Sequence, residues 1–356
     1  MATERPAGPT TARGRGAHRR RLLALACLAP ATALALDTDA ILRCKTITDP
    51  TLRVACYDAA VESRLPPSRT TPEARALLLD SPEPDPQQRS LIGDRWGLGA
   101  SPEDSRFDLR AHRPSYMLLG RVSDAPNREP GTPSKPPLDA PLNIQDTEAK
   151  FQLSFKFKLA DFGRELDMPL SIWGAYTQQS HWQVFNGGIS RPFRETNYEP
   201  ELMVALHPDL DLWGWRWRLA ALGINHQSNG RAEPLSRSWN RIVAQLGVER
   251  GDVAVILRPW LRVREDRAND DNPDIVDYLG HGDLTVVWAP GRHQFSLSSR
   301  LNLATGRGAA QAHWTFPLTR RVRGIVQWFG GYGESLVDYN RRQHTLGIGI
   351  SLADHL

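Results

Sequence analysis

The residues Thr345-Leu346-Gly347-Ile348-Gly349-Ile350-Ser351-Leu352 alternate between apolar and small or polar side chains without a break. In an extended strand successive side chains point to opposite faces. The run therefore puts Leu346, Ile348, Ile350 and Leu352 on one face and nothing larger than a threonine on the other. A helix would scatter the same residues around its circumference.

Similar alternation, imperfect in places, starts near Ser115, Thr147, Leu170, Tyr198, Asp211, Ser236, Asp252, Gly282, His293, Ala309, Val322 and Gln343, giving twelve strand candidates. Between them lie turn formers such as Asp161-Phe162-Gly163, Glu249-Arg250-Gly251-Asp252, Pro290-Gly291 and Thr305-Gly306-Arg307-Gly308. No stretch of about 18 apolar residues exists, which excludes helical membrane spans. A spanning barrel needs none, because only every second residue meets lipid. Trp213, Trp215 and Trp217 crowd one strand start, and Trp182, Trp239, Trp260, Trp288, Trp314 and Trp328 fall near the ends or middles of others. That placement suits the aromatic girdles of a membrane barrel. The competing architecture is a soluble β protein with these tryptophans in its core. The expected fold is all-β: an antiparallel transmembrane β-barrel of about 12 strands over residues 106–356, with a small N-terminal extension.

The extension divides by composition. Arg19-Arg20-Arg21 precede an apolar stretch from Leu22 to Leu36, and Ala33-Leu34-Ala35 has the small-x-small pattern of a cleavage site, so residues 1–35 are expected to be a secretory signal. This segment holds six arginines and one acid, leaving 38 basic against 39 acidic residues elsewhere. The basic excess is thus an address label and gives no support to a nucleic-acid partner. Residues 36–62 read as a helical segment in which Cys44 and Cys56 pair, as two nearby cysteines in an exported chain most simply do. Residues 63–105, rich in proline, serine and charge, read as a linker. Asp124 to Pro141 reads as a long loop between the first two strand candidates.

Chemistry concentrates in Asn225 to Asn240, NHQSNGRAEPLSRSWN. His226 and Ser228 are two apart on one strand and share a face with Leu222 and Ile224. On the next strand Asn240 shares parity with Ile242 and Leu246, while Arg241 and Gln245 take the other face. All three polar residues therefore project toward lipid, where polar groups are costly unless they pair or serve a function. A nucleophile, a base and a positioner on one face fit acyl transfer, with Ser228 attacking an ester, His226 taking its proton and Asn240 accepting the second imidazole N–H. A neutral amide stabilises an imidazolium less than a carboxylate does, so some other group must carry more of the developing charge.

The stretch resembles the outer-membrane phospholipase A family of Gram-negative bacteria in His226, Ser228, Asn229, Gly230 and the Ser236-Arg237-Ser238-Trp239-Asn240-Arg241 block. Further agreement lies in Lys150 to Ser154, Ala175 to Gln178, Pro192 to Pro200, Asp270 to Asp274, Gly331 to Leu336 and Asp338-Tyr339-Asn340. The resemblance covers about Ser115 to Leu356. It implies calcium-dependent hydrolysis of sn-1, and also sn-2, acyl esters of phospholipids and lysophospholipids in the outer membrane. It further implies the Gly230 N–H as an oxyanion donor and a homodimer as the active state. Ca²⁺ would be held by the Arg231 carbonyl, the Ser236 hydroxyl and the carbonyl of Ser190 of the partner subunit, with Asp271 serving an inactive-state site and Gln178 lying in the dimer interface. Departures are Glu233 where the family commonly has Asp, and Arg191 where it has a small residue. The Asp270-Asp271-Asn272-Pro273-Asp274 run reads equally as a turn. Two other readings stay open: a passive barrel, pore or adhesin, in which Ser228 is dispensable, and a soluble binding protein extractable without detergent.

Overall fold

The computed structural model describes Cys44, residues 46–49, 52–54, Cys56, 90–98, Phe107, 109–162, 168–266, 270–319, 322–354 and Leu356. The signal segment and most of the 63–105 stretch lie outside the described residues. Cys44 and Cys56 are joined by a disulfide.

From residue 90 onward the elements are α1 (Leu91–Trp96), β1 (Leu109–Ala111), β2 (Ser115–Ser123), β3 (Thr147–Phe162), β4 (Leu170–Trp182), β5 (Phe193–Leu206), β6 (Leu210–Leu212), β7 (Trp215–Ser228), β8 (Ser238–Arg250), β9 (Val253–Val263), α2 (Ile275–Leu279), β10 (Gly282–Trp288), β11 (Gln294–Asn302), β12 (Arg307–Pro317), β13 (Arg323–Tyr332) and β14 (Arg342–Ala353). Twelve strands close into an antiparallel barrel, with β5 followed by β7 around the ring and β14 returning to β2. The short β1 and β6 attach outside this ring, to β3 and β7.

Closure depends on the strand with which the sequence reading began. Leu346, Ile348 and Leu352 face outward and are exposed, while Gln343, Thr345, Gly347, Gly349 and Ser351 face inward and are buried. A Cβ at Gly349 would sit 1.9 Å from the Met117 carbonyl oxygen, so glycine lets β14 and β2 approach where their register shifts.

The outer surface carries the apolar residues and the lumen the charges. Arg121 pairs with Glu148 (2.7 Å) and with Glu334, Lys150 with Glu334 (3.1 Å), and Arg194 with Glu148 (3.0 Å) and Asp338 (2.9 Å). This inverts a soluble protein, whose core is apolar, and it suits a wall bathed in hydrocarbon. The tryptophans divide. Trp213, at 95% exposure, marks a turn tip, and Trp288, Trp314 and Trp328 are exposed on the outside, but Trp239 (1%) and Trp260 (5%) point inward and pack edge-to-face. The girdle expectation fails for those two because inward parity places them against lumen groups, with the Arg241 guanidinium 4.2 Å from the Trp239 ring centre.

Long connections gather at one end: 124–146, 183–192, 229–237, 264–281 and 333–341. Bacterial barrels keep short turns on the periplasmic side and longer loops outside, so this end faces outward from the cell. Near the other end lies α1, inside the stretch expected to be a linker. Ser90 caps it by accepting from the Gly93 N–H (2.8 Å), and Gly97 closes it in the left-handed conformation. The Ile92 N–H and the Ser90 hydroxyl donate to Glu249 at 2.8 and 2.6 Å, and Trp96 packs edge-to-face on Trp173. Leu91, Ile92 and Trp96 join Ala205, Leu219, Ala254 and Val287 in an apolar cluster. A short apolar patch between prolines is therefore structural filling.

Candidate active site

The site is built on the β7–β8 hairpin near the long-loop end. On its inner face Asn225 donates to Glu199 (2.8 Å), Arg241 donates to both Asn225 (2.5 Å) and Glu199 (2.7 Å), and the Trp239 indole donates to Gln227 (2.8 Å). Arg113 adds two bonds to Glu199, at 2.9 and 2.7 Å. The inward residues flanking His226 and Asn240 are thereby held from behind, which fixes the direction of the residues between.

Those residues face outward. Leu222 and Ile224 are 58% and 62% exposed, and His226 follows them on the same face. His226 pairs in register with Asn240, and its Nδ1 lies 2.8 Å from the Asn240 Oδ1. Ser228, two residues further along the same face, is in register with Ser238 on one side and Tyr198 on the other. The structure thus brings His226 and Asn240 into contact across two strands and places the Ser228 hydroxyl two residues beyond His226 on β7.

After Ser228 the chain enters the 229–237 loop, which the Asn229 side chain ties shut. Its Oδ1 accepts from the Arg237 N–H (2.9 Å) and its Nδ2 donates to the Leu235 carbonyl (2.8 Å). Gly230 sits at φ +61°, and a Cβ there would lie 3.3 Å from the Tyr198 ring, so glycine is required on both counts. The loop delivers Ser236 to Asp271, with Oγ to Oδ2 2.5 Å. The DDNPD run is a turn: Asp270 accepts from the Asn272 N–H (3.0 Å), and the segment leads into α2.

Lys135, from the 124–146 loop, stands beside these oxygens. Its ammonium lies 2.9 Å from Asp271 and 2.6 Å from Glu233. Hydrogen bonds to Glu233 and then Asp271 raise its pKa above the usual lysine value. Two carboxylates thus gather a cation beside the Ser236 hydroxyl, and oxygen donors of this kind fit Ca²⁺ by the same chemistry. Among the described residues no three His, Cys, Asp or Glu side chains cluster as a metal site.

Gln178 lies on the outer face of β4, between Leu153 and Tyr198 in register, and hence one strand removed from Ser228 at the same height. The Tyr176 hydroxyl donates to it at 3.3 Å, and its amide donates to Ser180 at 3.3 Å. Ser190 and Arg191 both adopt left-handed backbone in the loop after β4, and the Trp182 indole donates to the Arg191 carbonyl (2.9 Å).

One neighbour was not foreseen from the sequence. The Asn240 Nδ2 donates to Glu265 Oε1 at 3.1 Å. Glu265 lies just past β9, whose Val263 pairs with Asn240. Burial and then the charge of Asp270 push its carboxyl above the ordinary range, against the opposing pull of Arg262 and the Asn240 amide.

Comparison with known proteins places this geometry. The profile of the family described as Phospholipase A1 matches residues 92–352. The chain belongs to the phospholipase A1 family. Phospholipase A1 of Escherichia coli (strain K12) is 40% identical over 252 residues, spanning 70% of this chain and 83% of that protein. The solved outer membrane phospholipase dimer of Salmonella typhi with bound calcium superposes with a TM-score of 0.64 at 36% identity, covering 70% of this chain and 94% of the other. Outer membrane phospholipase A of Escherichia coli gives the same score and identity over 70% and 95%.

This phospholipase is accordingly a multi-pass outer-membrane β-barrel enzyme, and the readings as a passive barrel or a soluble protein fall. Lys135 and Glu265 went unnoticed in the sequence because both lie in irregular loops, where no period assigns a side chain to a face. Val263 offered the one usable clue, since continuing its parity carries Glu265 to the outward side.

Proposed function

We propose that the phospholipase hydrolyses acyl esters of phospholipids and lysophospholipids through a Ser228–His226–Asn240 triad, at the sn-1 position and also at sn-2, in a calcium-dependent homodimer. The reading rests above all on the outward His226–Asn240 contact with Ser228 next along the same face. Three polar residues there, each costing about 1–3 kcal/mol if left unpaired in a dry setting, have no structural purpose that the lumen network does not already fill.

The Asn240 oxygen accepts the Nδ1 proton of His226, which leaves Nε2 free as the base. Ser228 Oγ attacks the ester carbonyl as its proton passes to Nε2, forming a tetrahedral oxyanion toward which the Gly230 N–H donates. The bond to the glycerol oxygen then breaks, and Nε2–H returns the proton to that leaving alkoxide. Water, deprotonated by the same nitrogen, attacks the acyl-serine carbonyl; the bond to Oγ then breaks, Nε2–H returns the proton to Ser228 Oγ, and the fatty acid is released. The Arg231 carbonyl and the Ser236 hydroxyl, with the carbonyl of Ser190 of the partner subunit, are the oxygens that would hold Ca²⁺ in the active state, and Asp271 would serve a separate inactive-state site. When bound, the ion supplies positive charge near the oxyanion, the contribution that a neutral asparagine cannot make.

Gln178 supports the dimer reading, because a polar side chain in the lipid-facing belt beside Ser228 gains from pairing with its own copy across a two-fold. The test is fatty-acid release by purified protein in detergent, with Ca²⁺ or with EDTA. Ser228→Ala is expected to abolish release, and chelation to suppress it in the wild type. Undiminished release from the variant would remove the nucleophile, and release indifferent to EDTA would remove the metal.

A further inference from the structure

The triad's third member is itself held by a carboxylate. Asn240 makes two side-chain contacts in opposite directions, with Oδ1 2.8 Å from His226 Nδ1 and Nδ2 3.1 Å from Glu265 Oε1. The oxygen and nitrogen of a carboxamide are nearly isosteric, so its orientation is set only by its partners. An imidazole cannot set it, since either ring nitrogen can donate or accept. An ionised carboxylate can, because it only accepts and must face the NH₂. With Glu265 on one side, Oδ1 is turned to the ring, Nδ1 carries the proton, and Nε2 is left bare.

We propose that Glu265 is a positioning residue of the hydrolase, fixing the Asn240 amide so that His226 is held in the tautomer able to accept the Ser228 proton. The inference rests on the triad reading above. If the amide were reversed, its NH₂ would face Nδ1, the ring proton would move to Nε2, and the base would be blocked. Glu265 also places a negative charge at the far end of the relay, one carboxamide beyond the imidazolium that forms during attack.

The loop around Glu265 is anchored without it. Arg262 pairs with Asp270 at 2.6 Å, the Asp270 N–H donates to the Asp266 carbonyl (3.0 Å), and the Asn272 side chain accepts from the Ser238 N–H (3.0 Å). Removing the carboxylate therefore leaves the scaffold of the loop in place. The position follows from strand geometry: Val263 is directly opposite Asn240, is exposed on the outer face, and Glu265 is two residues further on.

The experiment is a double-mutant cycle on the purified full-length enzyme in mixed micelles with Ca²⁺, scored as kcat and KM separately. Glu265→Ala is expected to lower kcat on the order of tenfold with KM unchanged. Glu265→Gln, which keeps an acceptor of the same shape without the charge, should recover part of that loss. In the Asn240→Asp background a carboxylate accepts from Nδ1 in either rotation and would be repelled by Glu265. Glu265→Ala should there be neutral or raise kcat. An equal fall in both backgrounds, a change confined to KM, or an unchanged kcat in Glu265→Ala would each overturn the proposal while Ser228→Ala remains inactive. Activity surviving Ser228→Ala would instead defeat the triad reading beneath it.

Discussion

The β7–β8 hairpin carries two polar faces that differ in almost every respect. On the inner face Asn225, Gln227 and Arg241 are tied into a network with Glu199 and Trp239, so that several donors share one carboxylate. On the outer face His226, Ser228 and Asn240 stand among Leu222, Ile224 and Ile242 at the edge of hydrocarbon, with a chain of contacts running from His226 through Asn240 to Glu265. Polar groups inside a barrel are the ordinary way of filling it, and they hold the wall together. Polar groups outside it oppose insertion and are retained for chemistry.

That contrast can be broken by separating activity from stability. His226→Ala is expected to lower kcat by roughly 10⁴-fold or more, with the unfolding midpoint in denaturant unmoved; a stability loss comparable to that of an inner-face variant would erase the distinction. Glu199→Ala should do the converse first. It removes the carboxylate shared by Arg241, Arg113 and Asn225, and breaking a buried ion pair destabilises by about 3–5 kcal/mol, readable as a shifted urea transition of the refolded barrel.

Smaller effects sharpen the comparison. Asn240→Ala removes a hydrogen bond to a ring that becomes charged, so kcat should fall by roughly 10- to 100-fold, with folding again unaffected in the same denaturant titration. The smallest effect is expected at the loops. Lys135→Met removes a tethered cation from Asp271 and Glu233, and the Ca²⁺ concentration for half-maximal activity should drop severalfold, in keeping with the strength of exposed ion pairs. A rise instead would mean that Lys135 shapes the site rather than competing for it.

The wall was legible because its period is strict. Twelve strands, the closing alternation of β14, and the shared face of His226, Ser228 and Asn240 all follow from counting by two. Where counting by two stops, legibility stops with it. Trp239 and Trp260 were misplaced because abundance near strand ends was used in place of parity, and parity sends Trp239 inward beside Asn240. The first strands of the outer-face site were also offset: β5 begins at Phe193 and β7 at Trp215, because bulky and charged residues blur the alternation at their starts. The helix at Leu91–Trp96 was hidden by the prolines around it, since its six residues are stabilised by Glu249 and Trp173 rather than by any local signal. Glu265 lies past the end of β9, where only the continued parity of Val263 points to its side.

The helix near the short-turn end has a consequence for the cell that owns the enzyme. Any cylinder set through an envelope is a leak unless its bore is obstructed, and a hydrolase that works on the outside wall has no use for an open middle. Trp96, laid against Trp173 with the Lys156 ammonium 3.2 Å from its ring centre, fills part of the bore at that end with a helix that precedes the first strand.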